Sequence, residues 1–193
     1  MRYARRPGSN ICGHDSKNLV HEAGGHRGIF DPQTHDDCLG TLALTRLLVR
    51  ELDVPVLAAG GIMDGAGISA ALRLGAAAAQ LGTAFIACRE SAADAGYRSL
   101  LASDAAHHTV MTRAISGRPA RCLANEFTRL AAGVLPRQIP AYPIAYDAGK
   151  ALNAAAKAAG ETRYGAQWAG QGAPLARALP AAQLVAALAS EMR

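Results

Sequence analysis

The chain has 193 residues, with 20 Lys and Arg against 15 Asp and Glu, 20 Gly, and half of its residues hydrophobic. That length suits one domain with a sizeable core, and a charged fraction of 18% is too low for a disordered chain. No apolar run approaches the ~20 residues that cross a bilayer, and Arg2, Arg5 and Arg6 lead into the polar stretch 7–17 rather than the apolar core of a secretory signal.

The formal charge of +5 comes from basic residues scattered along the chain, and only 5% of residues are aromatic. Nucleic-acid binding wants a Lys/Arg stripe or an aromatic stacking platform. A site for a small anion fits the surplus just as well, and neither nucleic acid nor membrane is an expected partner. Cys12, Cys38, Cys88 and Cys122 show no CxxC or Cys/His ligand spacing. They read as free thiols of a reducing cytoplasm.

Residues 1–20 lack any sustained period and carry the turn formers Pro7, Gly8, Ser9, Asn10 and Gly13, so they read as a loop or tail. The segment 21–28, HEAGGHRG, makes a poor helix and a poor strand. A glycine-rich backbone offering an imidazole and a guanidinium suits an anionic or proton-exchanging ligand; a solvated glycine loop is the plainer alternative. His21, His26 and His35 match no metal-ligand spacing, and no metal is expected.

Residues 39–52 place Leu44, Leu48 and Leu52 on one helical face, with Leu47 alongside and Arg46, Arg50 and Glu51 turned to water. The apolar run 54–59 ends in Gly60-Gly61 and reads as a buried parallel strand. Asp64 then N-caps a helix through Leu74, with Gly75 at its C′ position. A second apolar run, 76–81, ends in Gly82-Thr83. Strand, helix and strand make a parallel βαβ unit. A further helix is expected over 90–105, alternation over 109–115, and a turn at Ser116-Gly117-Arg118-Pro119. A looser stretch runs to residue 150, and helices follow at 149–160 and 180–192. His107 and His108 read as surface residues.

Both strands terminate in small residues, so backbone N–H groups can approach an anion closely at 60–61 and 82–83. The helix beginning near Asp64 would add the positive end of its dipole. In (β/α)8 barrels the loops after the last two strands often hold a phosphate this way. Glycines that merely permit tight turns remain the alternative.

EAGGHRG at 22–28, PVLAAGGIMDGAGISAALRLGA at 55–76 and QLGTAF at 80–85 resemble the nitronate monooxygenase family, also called 2-nitropropane dioxygenases. TRAISGRPAR at 112–121 and QWAGQGAPLAR at 167–177 extend the likeness over roughly 22–193. The resemblance implies a TIM barrel holding FMN non-covalently. It sets Gly24 against the flavin, and Gly60, Gly61, Gln80, Leu81, Gly82 and Thr83 around its phosphate and ribityl chain. It makes His26 the active-site histidine that hydrogen-bonds the nitro group or acts as base. The implied reaction oxidises alkyl nitronates with O2 to a carbonyl compound and nitrite. Flavin-dependent enoyl-ACP reductases carry a similar EAGGH loop and resemble the chain less around GTAF and SGRPAR.

A (β/α)8 barrel takes about 250 residues and rarely fewer than 200, and the recognised motifs belong to its last part. Leu19-Val20 stand where the family has Gln-Gly. The expectation is therefore an α/β fold, an incomplete TIM (β/α)8 barrel with its last strands and helices plus a C-terminal helical segment. Residues 1–20 form a non-matching tail and 21–193 the C-terminal portion of the FMN-binding barrel. Three functions follow from this: a nitronate monooxygenase, a non-catalytic barrel fragment needing a partner, or an FMN-dependent enoyl-ACP or quinone reductase. The expected partners are a nitronate and O2, with a homo-oligomer or a complementing N-terminal barrel fragment left open.

Overall fold

The computed structural model describes residues 20–29, 31 and 35–192. The expected tail, apart from Val20, lies outside the described residues, as does Cys12.

The fold is α/β, and its parallel part follows the expected βαβ unit. β2 (Leu57–Ala59) and β3 (Ala78–Gln80) pair in parallel, Leu57 opposite Ala78 and Ala59 opposite Gln80. Between them runs α2 (Gly65–Arg73). Asp64 caps it, its carboxylate accepting from the Gly67 N–H at 2.8 Å. Gly75 ends it at φ +96°, a left-handed C′ conformation that costs a glycine little. The helix folds back because Ile68 and Ala71 close over Ala58, Ile62, Ala76 and Leu81.

α1 (Thr41–Glu51) precedes this unit, with Leu44 buried and Leu47 exposed rather than packed. The last helix, α6 (Ala181–Glu191), sets Leu184 and Leu188 against Met63, Ala84 and Cys88. Burying a leucine as fully as Leu184 contributes about 2 kcal/mol. Cys38, Cys88 and Cys122 are free thiols, the last two buried.

The second sheet departs from the sequence expectation. β1 (Gly25–His26), β5 (Ala120–Leu123) and β4 (Thr109–Thr112) form an antiparallel sheet in the order β1-β5-β4. The glycine-rich segment is thus partly a strand: His26 pairs with Ala120, and the Arg27 N–H donates to the Pro119 carbonyl at 2.8 Å. An edge strand this short needs only one neighbour, and β5, buried at all four residues, supplies it.

The helix expected over 90–105 is shorter. Asp94 caps α3 (Ala95–Leu101) by accepting from the Tyr97 N–H, and a separate 3-10 turn covers Asp104–His107. The looser stretch before 150 contains α4 (Glu126–Leu130), and α5 (Ile144–Ala158) begins five residues ahead of the expected helix. His107 and His108 are exposed, as expected. Among the described residues no helix is long and apolar enough to cross a membrane.

Candidate functional site

The carboxyl ends of β2 and β3 open onto a cavity of about 240 Å³. Gly24, Gly60, Gly61, Gln80, Gly82 and Thr83 all line it, with Trp168 and Gly170 on another wall. The two glycine turns therefore face one space. Leu81 does not: its side chain packs into the core with Ile62, Met63 and their neighbours.

Three stretches of main chain meet closely here. A Cβ on Gly24 would lie 2.7 Å from the Ala169 carbonyl carbon and the Gly170 nitrogen. One on Gly170 would lie 2.6 Å from the Glu22 carbonyl oxygen, and one on Gly172 2.8 Å from the Gly61 carbonyl oxygen. At Gly60, φ +117° adds a conformation that L side chains rarely adopt, and Val20 fills the space beside it. Gly82 is different, for a Cβ there meets nothing within 4 Å. It borders open cavity.

The amino end of α2 faces elsewhere. Its Gly67 amide is held by Asp64 and its Gly65 amide by the Glu191 carboxylate at 2.9 Å. No residue of α2 lines the cavity, so the expected contribution of its dipole is not seen. Thr83 instead presents a hydroxyl whose oxygen accepts from the Gly170 N–H at 3.0 Å, leaving its proton for another acceptor.

His26 is not itself a lining residue. Its ring centroid lies 5.1 Å from that of Trp168, which is. Tyr142 and Tyr146 stand edge-on to the imidazole at 6.1 and 5.9 Å, and the Lys150 ammonium sits 4.4 Å above the Tyr146 ring. His26 Nε2 is 2.8 Å from Ser116 Oγ. Ser116 Oγ also lies 3.2 Å from the Arg118 carbonyl. With the serine's single proton on that carbonyl, Nε2–H is the donor and Nδ1 keeps the lone pair. Burial, reinforced by Arg118, holds the His26 pKa below the ordinary imidazole value, so the ring is neutral at pH 7.

Sequence reasoning missed Ser116, Tyr142, Tyr146 and Trp168 as neighbours of His26, and Lys150 as the cation over the Tyr146 ring. A signal existed: Tyr142, Tyr146 and Lys150 recur every four residues at the head of a helix, the spacing of one helical face.

Trp168 is fixed from behind. Its carbonyl accepts from the Tyr97 hydroxyl, and its backbone bridges to Cys122. The buried Asn125 side chain donates to Gln167 Oε1 at 2.6 Å and to the Gly165 carbonyl at 2.9 Å. Cys122 is pushed up to about 12 by burial and is inert as a nucleophile.

One further cluster, away from the cavity, groups His21, Asp36 and Cys38 with potential ligand atoms within 4.8 Å of one another. Asp36 is already committed: Arg27 Nε and Nη2 donate to its two oxygens at 2.7 and 2.8 Å. Arg121 and Arg27 both depress the His21 pKa after burial does. Two buried guanidiniums beside the cluster make it a poor place for a cation.

Comparisons with known proteins show what the chain is similar to. The nitronate monooxygenase of Paraburkholderia phytofirmans is 66% identical over 172 residues, covering 89% of this chain and 47% of that protein. That of Pseudomonas aeruginosa is 56% identical over 174 residues, covering 89% and 49%. Among solved structures, a nitroalkane oxidase from Streptomyces ansochromogenes matches with TM-score 0.81 at 44% identity, over 89% of this chain and 49% of that one. FabK from Thermotoga maritima matches with TM-score 0.69 at 32% identity, over 90% and 52%. The chain thus spans about half the length of the relatives it matches. The family profile described as nitronate monooxygenase covers residues 20–191, and the chain belongs to the nitronate monooxygenase family.

Proposed function

We propose that this chain carries the cofactor and substrate portion of an FMN-dependent nitronate monooxygenase, built on the last strands of a (β/α)8 barrel. The observation that supports it most is the shared cavity of the two glycine turns, with the neutral His26 one tryptophan away.

The residues present fit the phosphate and ribityl end of a flavin. Gly82 leaves space where any side chain would intrude, and Thr83 offers a hydroxyl proton to an anion. At about 240 Å³ the cavity is below the ~300 Å³ at which whole small-molecule pockets begin, so the rest of FMN needs walls from outside the described residues. Among those residues β2 pairs with β3 alone, and further barrel strands would add at their free edges. An N-terminal barrel portion, on the same polypeptide or a complementing one, is the proposed partner.

When bound, FMN would accept an electron from the nitronate and pass it towards O2. The chain's own groups serve charge and position. His26 Nδ1, held in one tautomer by Ser116, would take or share a proton, and Lys150, which also pairs with Asp147 at 3.3 Å, would lend positive charge beside the Tyr146 ring. Tyr142, Tyr146 and Trp168 pack their rings around the partly buried imidazole. Free thiols are in keeping with a cytoplasmic protein.

The test is purification with excess FMN. A yellow protein bleached anaerobically by propionate 3-nitronate, and losing turnover in His26→Ala, is the expected result. Bleaching by NADH but not by the nitronate would favour an enoyl or quinone reductase, and a colourless protein that stays colourless with an added N-terminal barrel portion would overturn the flavin reading.

A further inference from the structure

Glu22 lies two residues before the cavity glycine Gly24 and touches neither the cavity nor the His26 ring. Its carboxylate faces α1. Oε1 accepts from the Thr41 backbone N–H at 3.0 Å, and Oε2 lies 2.8 Å from the Thr41 hydroxyl. That same hydroxyl is 2.7 Å from the Gly60 carbonyl oxygen. Two glycines make room for the group: a Cβ on Gly40 would fall 2.6 Å from Oε1, and one on Gly61 2.6 Å from Oε2. The main-chain oxygen of Glu22 accepts from the Gln171 N–H at 2.9 Å. One residue therefore joins α1, the Gly60–Gly61 turn and the 170–172 segment.

We infer that Glu22 is a positioning residue that sets the Gly60–Gly61 turn, the phosphate end of the proposed flavin cavity, against the His26 loop; this rests on the flavin reading. It acts through Thr41 and contacts no ligand. The detail that gives it a distinctive signature is the proton count. A hydroxyl has one proton, and Thr41 Oγ1 stands between two acceptors. A carboxamide at position 22 satisfies the arrangement fully: its NH2 donates to Thr41 Oγ1, whose proton then goes to the Gly60 carbonyl. The requirement is for a planar side chain of this length with two polar atoms. Negative charge is not needed.

The experiment compares FMN with riboflavin, which lacks the phosphate, using quenching of Trp168, the chain's one tryptophan. The wild type is expected to prefer FMN, and Glu22→Gln to keep that preference. Glu22→Ala and Thr41→Val should lose FMN affinity by about tenfold or more, the scale of one hydrogen bond to a charged group, while riboflavin affinity stays level. A general loosening of the fold would weaken both ligands alike. Equal losses for the two flavins, or an unchanged ratio in Glu22→Ala, overturn the role. Thr41→Val carries the comparison if Glu22→Ala does not fold. If the wild type binds neither flavin even with the added N-terminal barrel portion, the flavin reading fails by itself. The tie is then read by hydrogen–deuterium exchange of residues 59–63: faster exchange in Thr41→Val than in Glu22→Gln upholds it, and equal exchange overturns it.

Discussion

Replacing Gly24 by alanine adds one methyl group where two backbones already touch. The new carbon would sit 2.7 Å from both the Ala169 carbonyl carbon and the Gly170 nitrogen, and 2.9 Å from the Ala169 Cα. Those atoms are main chain, so none can rotate aside, and the contact is roughly 0.7 Å shorter than van der Waals packing tolerates. Gly24 has no left-handed φ, so the whole cost is steric. Overpacking of this kind costs about 1–3 kcal/mol. With a urea slope of about 2 kcal/mol per molar, the midpoint should fall by roughly 1 M. Trp168, next to the displaced Ala169, reports the transition by its fluorescence. Gly82→Ala is the control. Its methyl group meets nothing within 4 Å, so its midpoint should stay within about 0.5 kcal/mol of wild type, yet FMN binding should weaken because the methyl occupies cavity space. An unchanged midpoint in Gly24→Ala, or equal destabilisation by both substitutions, would refute the idea that packing of bare main chain holds this site.

Asp36→Ala leaves the Arg27 guanidinium, only 6% exposed, without its bidentate partner. Stranding a buried charge should cost about 3 kcal/mol, visible in thermal or urea unfolding, whereas a change under about 1 kcal/mol would mean that water already reaches it. Stability should also depend on pH in a defined direction. The pKa values of His21 and His26 are both held below 6.5 by burial and neighbouring arginines, so the unfolded chain takes up protons that the folded one refuses. Stability is then full above pH 6.5 and declines as pH falls through the window beneath it. His26→Gln should flatten part of that decline in urea titrations, and an identical profile would place the effect elsewhere.

The parallel half of this fold was legible because its signals are local. Asp64 and Gly75 bracket α2 with cap chemistry that acts within four residues, and the apolar runs before Gly60 and Gly82 are long enough to be read as strands. Of the antiparallel sheet only β4, inside the alternating stretch 109–115, was legible. β1 has two residues, and β5 is buried throughout, so neither shows the alternation that marks a half-exposed strand. α5 was expected too late because Pro140 and Pro143 mark its start as a breaker region. The site divides the same way. Its glycine turns lie at strand ends and could be found from spacing, but Trp168 reaches His26 across most of the chain, brought there by the Cys122 bridge and the Asn125–Gln167 contact. Spacing alone carries no trace of such a meeting.

The meeting of Gly24 and Gly170 with neighbouring backbone leaves those positions without a compensating swap. Where two side chains touch, one can shrink as the other grows, and a lineage can wander through such exchanges. Here the opposing surface is peptide, the same in every protein, and has nothing to give up.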